Sequence, residues 1–216
     1  MTSTDAPTRS TLALKGSTKI VSEFFEYSIN TILYQRGIYQ PEDFKVVKKY
    51  GLNMLVSTDD DVKRYIKRIM KQLHSWMGAG KINKLIVCIV SKETGDTMER
   101  WQFDVEIMHR QAQTQQSTDT NVPESVVEKD EKEITKEIQS LVRQITASVT
   151  FLPELTGRAT FNVLVYTDNS GEVPKDWVDS DARDVRNAEA VQLRSFTTGA
   201  HKVGLQVSYT LDEQEV

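Results

Sequence analysis

Apolar residues recur along this chain with two different periods, one typical of helices and one typical of strands. Three segments have helical spacing, at residues 18–36, 59–78 and 132–151. The first is apolar over most of its circumference, which predicts a central, buried helix, and Ser17 or Thr18 is suited to cap its start. The second opens on three aspartates, which favour a helix N-terminus, and the third ends before Pro153.

Strand patterns alternate with these helices without a regular βαβ order. The strongest are a continuous apolar run, two alternating segments and a C-terminal hairpin around Gly199, at residues 84–91, 97–109, 159–167, 191–198 and 201–211. Weaker patterns predict short strands at 11–14 and 52–57, and a turn with a short helical piece at 41–50. This order predicts an α+β fold in which one antiparallel sheet has three long helices on one face.

The domain organisation follows from composition. Residues 1–11 are polar and are predicted to be a flexible N-terminus, whereas residues 12–216 read as a single domain. Residues 110–130 are rich in Gln, Thr, Ser and Asp, which predicts a long flexible loop. Residues 169–216 form a C-terminal segment in which an irregular stretch leads into the hairpin. A terminal hairpin usually just completes a sheet, although one on so long a connection can pair with either edge.

Composition narrows the function. The net charge of −4 argues against nucleic-acid binding, and no stretch has the apolar length that a membrane span or a signal peptide requires. The single cysteine, Cys88, fits a reducing compartment. No metal-ligand spacing, cofactor motif or catalytic constellation is present, and Gly78-Ala-Gly-Lys81 lacks both the first glycine and the hydroxyl residue of a phosphate loop. We therefore expect a binding protein, with no catalytic, metal or cofactor site.

One helix face suggests a contact surface. Ile134, Ile138, Leu141 and Ile145 form the buried stripe of the third helix, so Arg143 points away from the core. Its neighbours are small and amide side chains rather than the usual lysines and glutamates. Arginine and aromatic residues are enriched at protein contacts, and Phe151 follows near the helix end.

Four blocks of the chain carry a resemblance. They are FFEYSINTILYQRGIY (24–39), ERWQFD (99–104), RQITASVTFLP (143–153) and LRSFTTGAHK (193–202). Together they resemble the mitotic-arrest-deficient-two family of spindle-checkpoint proteins, which are HORMA domains. The match runs from about residue 14 to 209.

The resemblance implies which residues act. Arg143, Gln144, Phe151 and Arg194 match a self-association interface through which an open and a closed copy form a homodimer. Phe161, Val163 and Val165 match the strand edge to which a partner peptide adds. The mobile C-terminal hairpin, called the safety belt, carries the following residues: Leu193, Phe196, His201, Val203, Leu205, Val207 and Tyr209.

The resemblance also implies partners. These are the activator subunit of the anaphase-promoting complex, a coiled-coil kinetochore checkpoint receptor and other mitotic checkpoint complex subunits. Capture of their peptides delays anaphase, and the expected location is the nucleus and kinetochore, and also the cytoplasm. The alternatives are a related HORMA adaptor of a translesion polymerase or of meiotic chromosome axes, and an enzyme with an unrecognised site.

Overall fold

The computed structural model describes residues 9–108, 129–167, 173–175 and 177–211, with side chains from Leu14 onward. Most of the predicted flexible loop at 110–130, and residues 1–8 of the predicted flexible N-terminus, lie outside the described residues.

Three long helices form one layer: α1 (Arg9–Gln35), α2 (Asp60–Gly78) and α3 (Glu131–Ala147). Asp59 caps α2 by accepting hydrogen bonds from the N–H groups of Asp61 and Val62, and Asp130 caps α3 in the same way through Lys132. Each cap satisfies N–H groups that have no partner within a helix. A short 3₁₀ turn, Ser148–Thr150, continues α3 towards Phe151.

The start of α1 corrects two expectations. Residues 11–14 are helical, so the predicted short strand is wrong, and residues 9–11 belong to the helix rather than to a flexible N-terminus. An alternating pattern of only four residues is too short to specify a strand, and residues 9–17 extend the helix by nine residues instead. Ser17 and Thr18, predicted as caps, lie inside the helix and are buried, and Ser17 contacts Thr198 of the C-terminal hairpin.

Five strands form one antiparallel sheet in the order β5-β3-β4-β7-β6. Their bounds are β3 (Ile82–Ser91), β4 (Thr97–Ile107), β5 (Ala159–Thr167), β6 (Ala188–Thr197) and β7 (His201–Thr210). The continuous apolar run β3 is internal, as predicted. The hairpin of β6 and β7 pairs with β4, so β5 forms the opposite edge.

A second, two-stranded sheet is formed by β1 (Phe44–Lys49) and β2 (Leu52–Ser57). The sequence predicted the short helical piece, seen at Pro41–Asp43, and β2, but it missed β1. The turn between the strands places Tyr50 and Gly51 at φ values of 52° and 69°. Two successive positive φ values are typical of the tight turns that join strands in a hairpin, and their usual sequence signal is Asn-Gly. Here tyrosine, which seldom adopts a positive φ, takes the first position, so the sequence did not indicate the turn.

The core lies between the helices and one face of the five-stranded sheet. Phe24 and Phe25 of α1 contact Phe103 of β4 edge-to-face, and Phe24 also contacts Phe196 of β6. These aromatic rings are fully or almost fully buried. The α+β fold with three helices on one face of an antiparallel sheet is therefore confirmed.

Candidate functional site

Strand β5 presents a free edge. It pairs with β3 on one side, and no strand in the described part of the chain pairs with its other side. The side chains of Phe161 and Val163 are buried against the helices, and Val165 is half-buried. An unpaired edge exposes a row of N–H and C=O groups, which makes it a template for another chain.

One side chain already occupies part of that edge. The N–H of Val163 donates a hydrogen bond to Tyr65 Oη of α2 at 3.3 Å, so this N–H points away from β3. Because strands repeat every two residues, the backbone groups of Phe161 and Val165 also point outward. The Tyr65 ring meets Phe161 edge-to-face at 5.4 Å, and burial raises the pKa of its hydroxyl. A strand added here must displace the Tyr65 hydroxyl from Val163.

Beyond this edge, a described stretch of chain extends to the far side of the sheet. We call residues 173–175 and 177–187 the crossing segment. Trp177 packs on Trp76 of α2 with ring centroids 5.0 Å apart. Between the crossing segment and β5 lies a cavity of about 370 Å³, lined by residues that include Leu164, Tyr166, Val173 and Trp177. The C-terminal part of the free edge, residues 164–167, therefore borders this cavity, which we call the slot.

Further along, the crossing segment covers the face of the sheet that points away from the helices. Arg100 of β4 donates a hydrogen bond to the carbonyl of Ala182 at 3.3 Å and pairs with Asp184 at 3.7 Å. Beneath them Cys88 is fully buried in a small apolar cluster with Ile86 and Val90. Burial raises the pKa of the Cys88 thiol to about 11. The single cysteine thus lies beneath the crossing segment.

The C-terminal hairpin is held in place by burial of its apolar side chains in the core and by one polar network with α1. The residues predicted to belong to the safety belt, apart from the half-buried Leu193, are all buried: Phe196, His201, Val203, Leu205, Val207 and Tyr209. At the turn, His201 Nδ1 lies 2.5 Å from Ser17 Oγ of α1, and Ser17 is also hydrogen-bonded to Thr198. Buried polar groups that satisfy one another specify a single arrangement, so this network fixes the hairpin tip against α1.

A buried ion pair braces the scaffold behind β5. Arg36 at the end of α1 donates to Glu99 of β4 at 2.7 Å and to the carbonyl of Pro153, which precedes β5. Trp101 Nε1 donates to the second oxygen of Glu99 at 3.1 Å. Burial raises the pKa of Glu99, and the charge of Arg36 lowers it. These contacts tie a helix, a strand and a loop together at one point.

The four residues predicted to form a self-association interface lie on α3, just after it and on β6, and two of them, Gln144 and Arg194, are hydrogen-bonded. Arg143 is exposed on α3, as its position opposite the buried stripe predicts. Gln144 accepts a hydrogen bond from the N–H of Arg194 at 2.8 Å, and Arg194 also donates to Ser140 at 3.1 Å. Arg194 sits at an irregularity in the pairing of β6 with β7. Phe151, separately, packs beside Tyr209 with centroids 6.3 Å apart.

Sequence reasoning missed three functional candidates: Ser17, Tyr65 and the partners of Cys88. Ser17 carried a signal, a hydroxyl residue near a helix start, but it was interpreted as a cap. The only sequence signal at Tyr65 was that a polar aromatic residue lies on an otherwise basic helix face. Among the described residues no group of three His, Cys, Asp or Glu side chains is placed to hold a metal ion, and no helix is long and apolar enough to cross a membrane.

The fold has close counterparts among known proteins. The HORMA domain profile matches residues 17–201. The chain belongs to the HORMA domain family. It is 58% identical to the mitotic spindle checkpoint component mad2 of Schizosaccharomyces pombe over 95% of this chain and 98% of that protein.

Solved structures agree with this assignment. A chain in the crystal structure of a mitotic checkpoint complex superposes with a TM-score of 0.80 at 57% identity, covering 91% of this HORMA chain and 99% of that one. Caenorhabditis elegans HTP-1 bound to HTP-3 motif-1 has a TM-score of 0.73 at 14% identity, covering 92% and 91% of the two chains, and shows the fold alone. The spindle-checkpoint resemblance is therefore confirmed, and this HORMA chain is a spindle checkpoint protein of a non-enzymatic adaptor family.

Proposed function

We propose that this HORMA protein is a conformational adaptor that captures a partner peptide at the β5 edge beneath the crossing segment. The observation that carries the proposal is the free β5 edge, whose C-terminal part, residues 164–167, lines the slot, a cavity of about 370 Å³. An extended peptide that adds to such an edge gains main-chain hydrogen bonds along its length, and pockets for alternate side chains give specificity. The binding of HTP-1 to a motif of HTP-3 on the same fold supports this mode.

The position of the hairpin supports a closed state. The hairpin lies on β4, at the opposite edge from β5, and an open state would place it on β5 instead. Both positions use the same alternating strand, so their free energies can differ by only a few kcal/mol. Peptide release from the closed state then requires the hairpin to unpair from β4, which makes release slow.

The proposed partners are the activator subunit of the anaphase-promoting complex, a coiled-coil kinetochore checkpoint receptor and other mitotic checkpoint complex subunits. Capture of the activator would delay anaphase, in the nucleus, at the kinetochore and in the cytoplasm. The chain in a mitotic checkpoint complex at 57% identity favours this reading over a translesion-polymerase or meiotic-axis adaptor. Co-purification with polymerase or axis subunits instead of the activator would reverse the choice.

The decisive experiment is the dissociation rate of a fluorescent activator peptide from the intact chain, followed after adding excess unlabelled peptide. We expect release over minutes or longer, because hairpin unpairing breaks many backbone hydrogen bonds together. Release within seconds, or no binding, would contradict capture beneath the crossing segment.

Replacing Ser17 by alanine should loosen the hairpin. The change removes the hydroxyl that joins His201 and Thr198, and a buried polar group that loses its partner costs about 1–2 kcal/mol. Peptide release should therefore accelerate about fivefold to thirtyfold. Ser22→Ala is the matched control, because Ser22 lies on the same helix and makes only a long contact, 3.4 Å, with His74. Equal acceleration in both variants would assign the effect to α1 stability rather than to the network.

Replacing Arg143 by alanine should weaken self-association by about tenfold or more, as for a contact arginine. Arg143 is exposed and lies on the opposite side of α3 from the core, so the free energy of unfolding should change by less than about 0.5 kcal/mol. Sedimentation measures the first quantity and urea titration the second. Lys132→Ala, an exposed cation at the start of the same helix, is the control; a loss of peptide binding equal to the loss of self-association would show that α3 has a different role.

A further inference from the structure

The chain contains one strongly basic region. Residues 62–92 include eight lysines and arginines and no aspartate or glutamate, although the protein as a whole has 31 acidic residues and a net charge of −4. Five of these cations lie on α2 and are exposed: Lys63, Arg64, Lys67, Arg68 and Lys71. We call them the α2 basic face.

Within the chain, this face is only partly neutralised. Lys63 and Arg64 pair with Asp60 and Asp61 in the first turn of α2. No carboxylate of the described residues forms an ion pair with the other three cations, although Glu26 of α1 senses the charge of Lys67 at longer range. Like charges four residues apart, as in Lys63 with Lys67 and Lys67 with Lys71, destabilise a helix. Because no carboxylate of the described residues pairs with Lys67 or Lys71, we take their repulsion to indicate a negatively charged binding partner outside the molecule.

The α2 basic face borders the candidate site. Tyr65 of the same helix reaches Val163 at the β5 edge, and Trp76 packs on the crossing segment through Trp177. At about 100° per residue, Arg68 lies about 60° around α2 from Tyr65, so the basic face lies beside the β5 edge at Val163. A polypeptide that leaves this edge past Tyr65 passes close to these cations.

We propose that the α2 basic face binds an acidic segment of the same partner polypeptide whose strand is captured at β5. This inference rests on the proposed function and adds a charge requirement outside the captured strand. The face spans about 12 Å from Lys63 to Lys71, which matches about four residues of extended chain. It is short for a nucleic-acid footprint, which uses a larger set of phosphate contacts, and the negative net charge opposes one.

The test uses the activator peptide in three forms: the strand alone, and the strand with four glutamates added at its N-terminus or at its C-terminus. On the intact protein we expect one extended form to bind about tenfold more tightly at low ionic strength, an advantage that shrinks at high salt. The triple variant Lys67→Glu, Arg68→Glu, Lys71→Glu should lose that advantage and still bind the unextended strand. The control variant Lys45→Glu, Lys48→Glu, Lys132→Glu has the same net charge at exposed sites elsewhere and should keep it.

The outcomes separate the two proposals. Binding of all three peptides with equal affinity would overturn the acidic-segment inference and leave strand capture standing. Failure of every peptide to bind would overturn strand capture itself, and the inference with it. Tight binding of a short duplex DNA that the triple variant abolishes would assign the α2 basic face to nucleic acid instead.

Discussion

Replacing Val163 by proline is expected to weaken peptide capture by at least about 30-fold while the domain remains folded. The N–H of Val163 points outward to Tyr65 and makes no bond to β3, so its removal leaves the β3–β5 ladder intact. Proline is tolerated on an edge strand whose N–H faces outward, but it denies an incoming strand its donor and obstructs close approach. The loss of about 2–3 kcal/mol predicts a dissociation constant raised about 30- to 100-fold or more.

Leu164→Pro is the matched control for this prediction. Leu164 is the next residue, and by the two-residue period its N–H points towards β3, where it pairs with Ile86. This variant should be destabilised, because proline then removes a bond inside the sheet. Circular dichroism melts and fluorescence anisotropy together distinguish the two effects. Unchanged peptide affinity in a folded Val163→Pro protein would mean that the peptide binds elsewhere.

The thiol of Cys88 should report the position of the crossing segment. With a pKa of about 11, only about 0.1% of this thiol is ionised at pH 8, compared with about a quarter for an ordinary cysteine. Since the thiolate is the reactive form and the side chain is fully buried, a maleimide or disulfide reagent should react at least about 200-fold more slowly than with the urea-unfolded chain. Bound peptide should slow the reaction further, because it holds the crossing segment in place.

Cys88→Ala has no thiol and is therefore the negative control for labelling. The same variant isolates the effect of thiol ionisation on the free energy of unfolding. The folded-state pKa of Cys88 lies above that of the unfolded thiol, so the unfolded chain releases its proton first as the pH rises. The free energy of unfolding should therefore fall between about pH 9 and 11 by up to roughly 1.4 kcal/mol per pH unit. That additional slope should be missing in Cys88→Ala. Rapid labelling of the folded wild-type protein at pH 8 would show that the crossing segment does not cover Cys88.

Much of the fold could be predicted because apolar residues recur along the chain with clear helical or strand periods. The stripe on α3 and the alternation along β4 each bury one face only, and the structure buries those faces. Alternation determines which face of a strand is buried, however, and does not determine its neighbour. The hairpin residues Val203, Leu205 and Val207 would suit either edge of the sheet equally well, so the choice of β4 over β5 was beyond reach of the pattern.

The candidate site divides in the same way. The outward position of Arg143 follows from helix geometry, and the structure places it there. The contacts of Ser17 and Tyr65 depend on residues about 180 and 98 positions away, and no local pattern encodes such distances. The β1 strand was missed for the opposite reason, since a local turn uses Tyr50 where a glycine or asparagine is usual.

The contact between α1 and the C-terminal hairpin also bears on how the protein is made. Ser17 and Thr198 are 181 residues apart, and Phe24 likewise packs on Phe196. At a synthesis rate of about 5–20 residues per second, α1 leaves the ribosome about 10–40 s before the strands that cover it exist. The most apolar helix of the chain must therefore be shielded for that time by chaperones or by transient contacts, and the native core closes only once the hairpin has emerged from the ribosome.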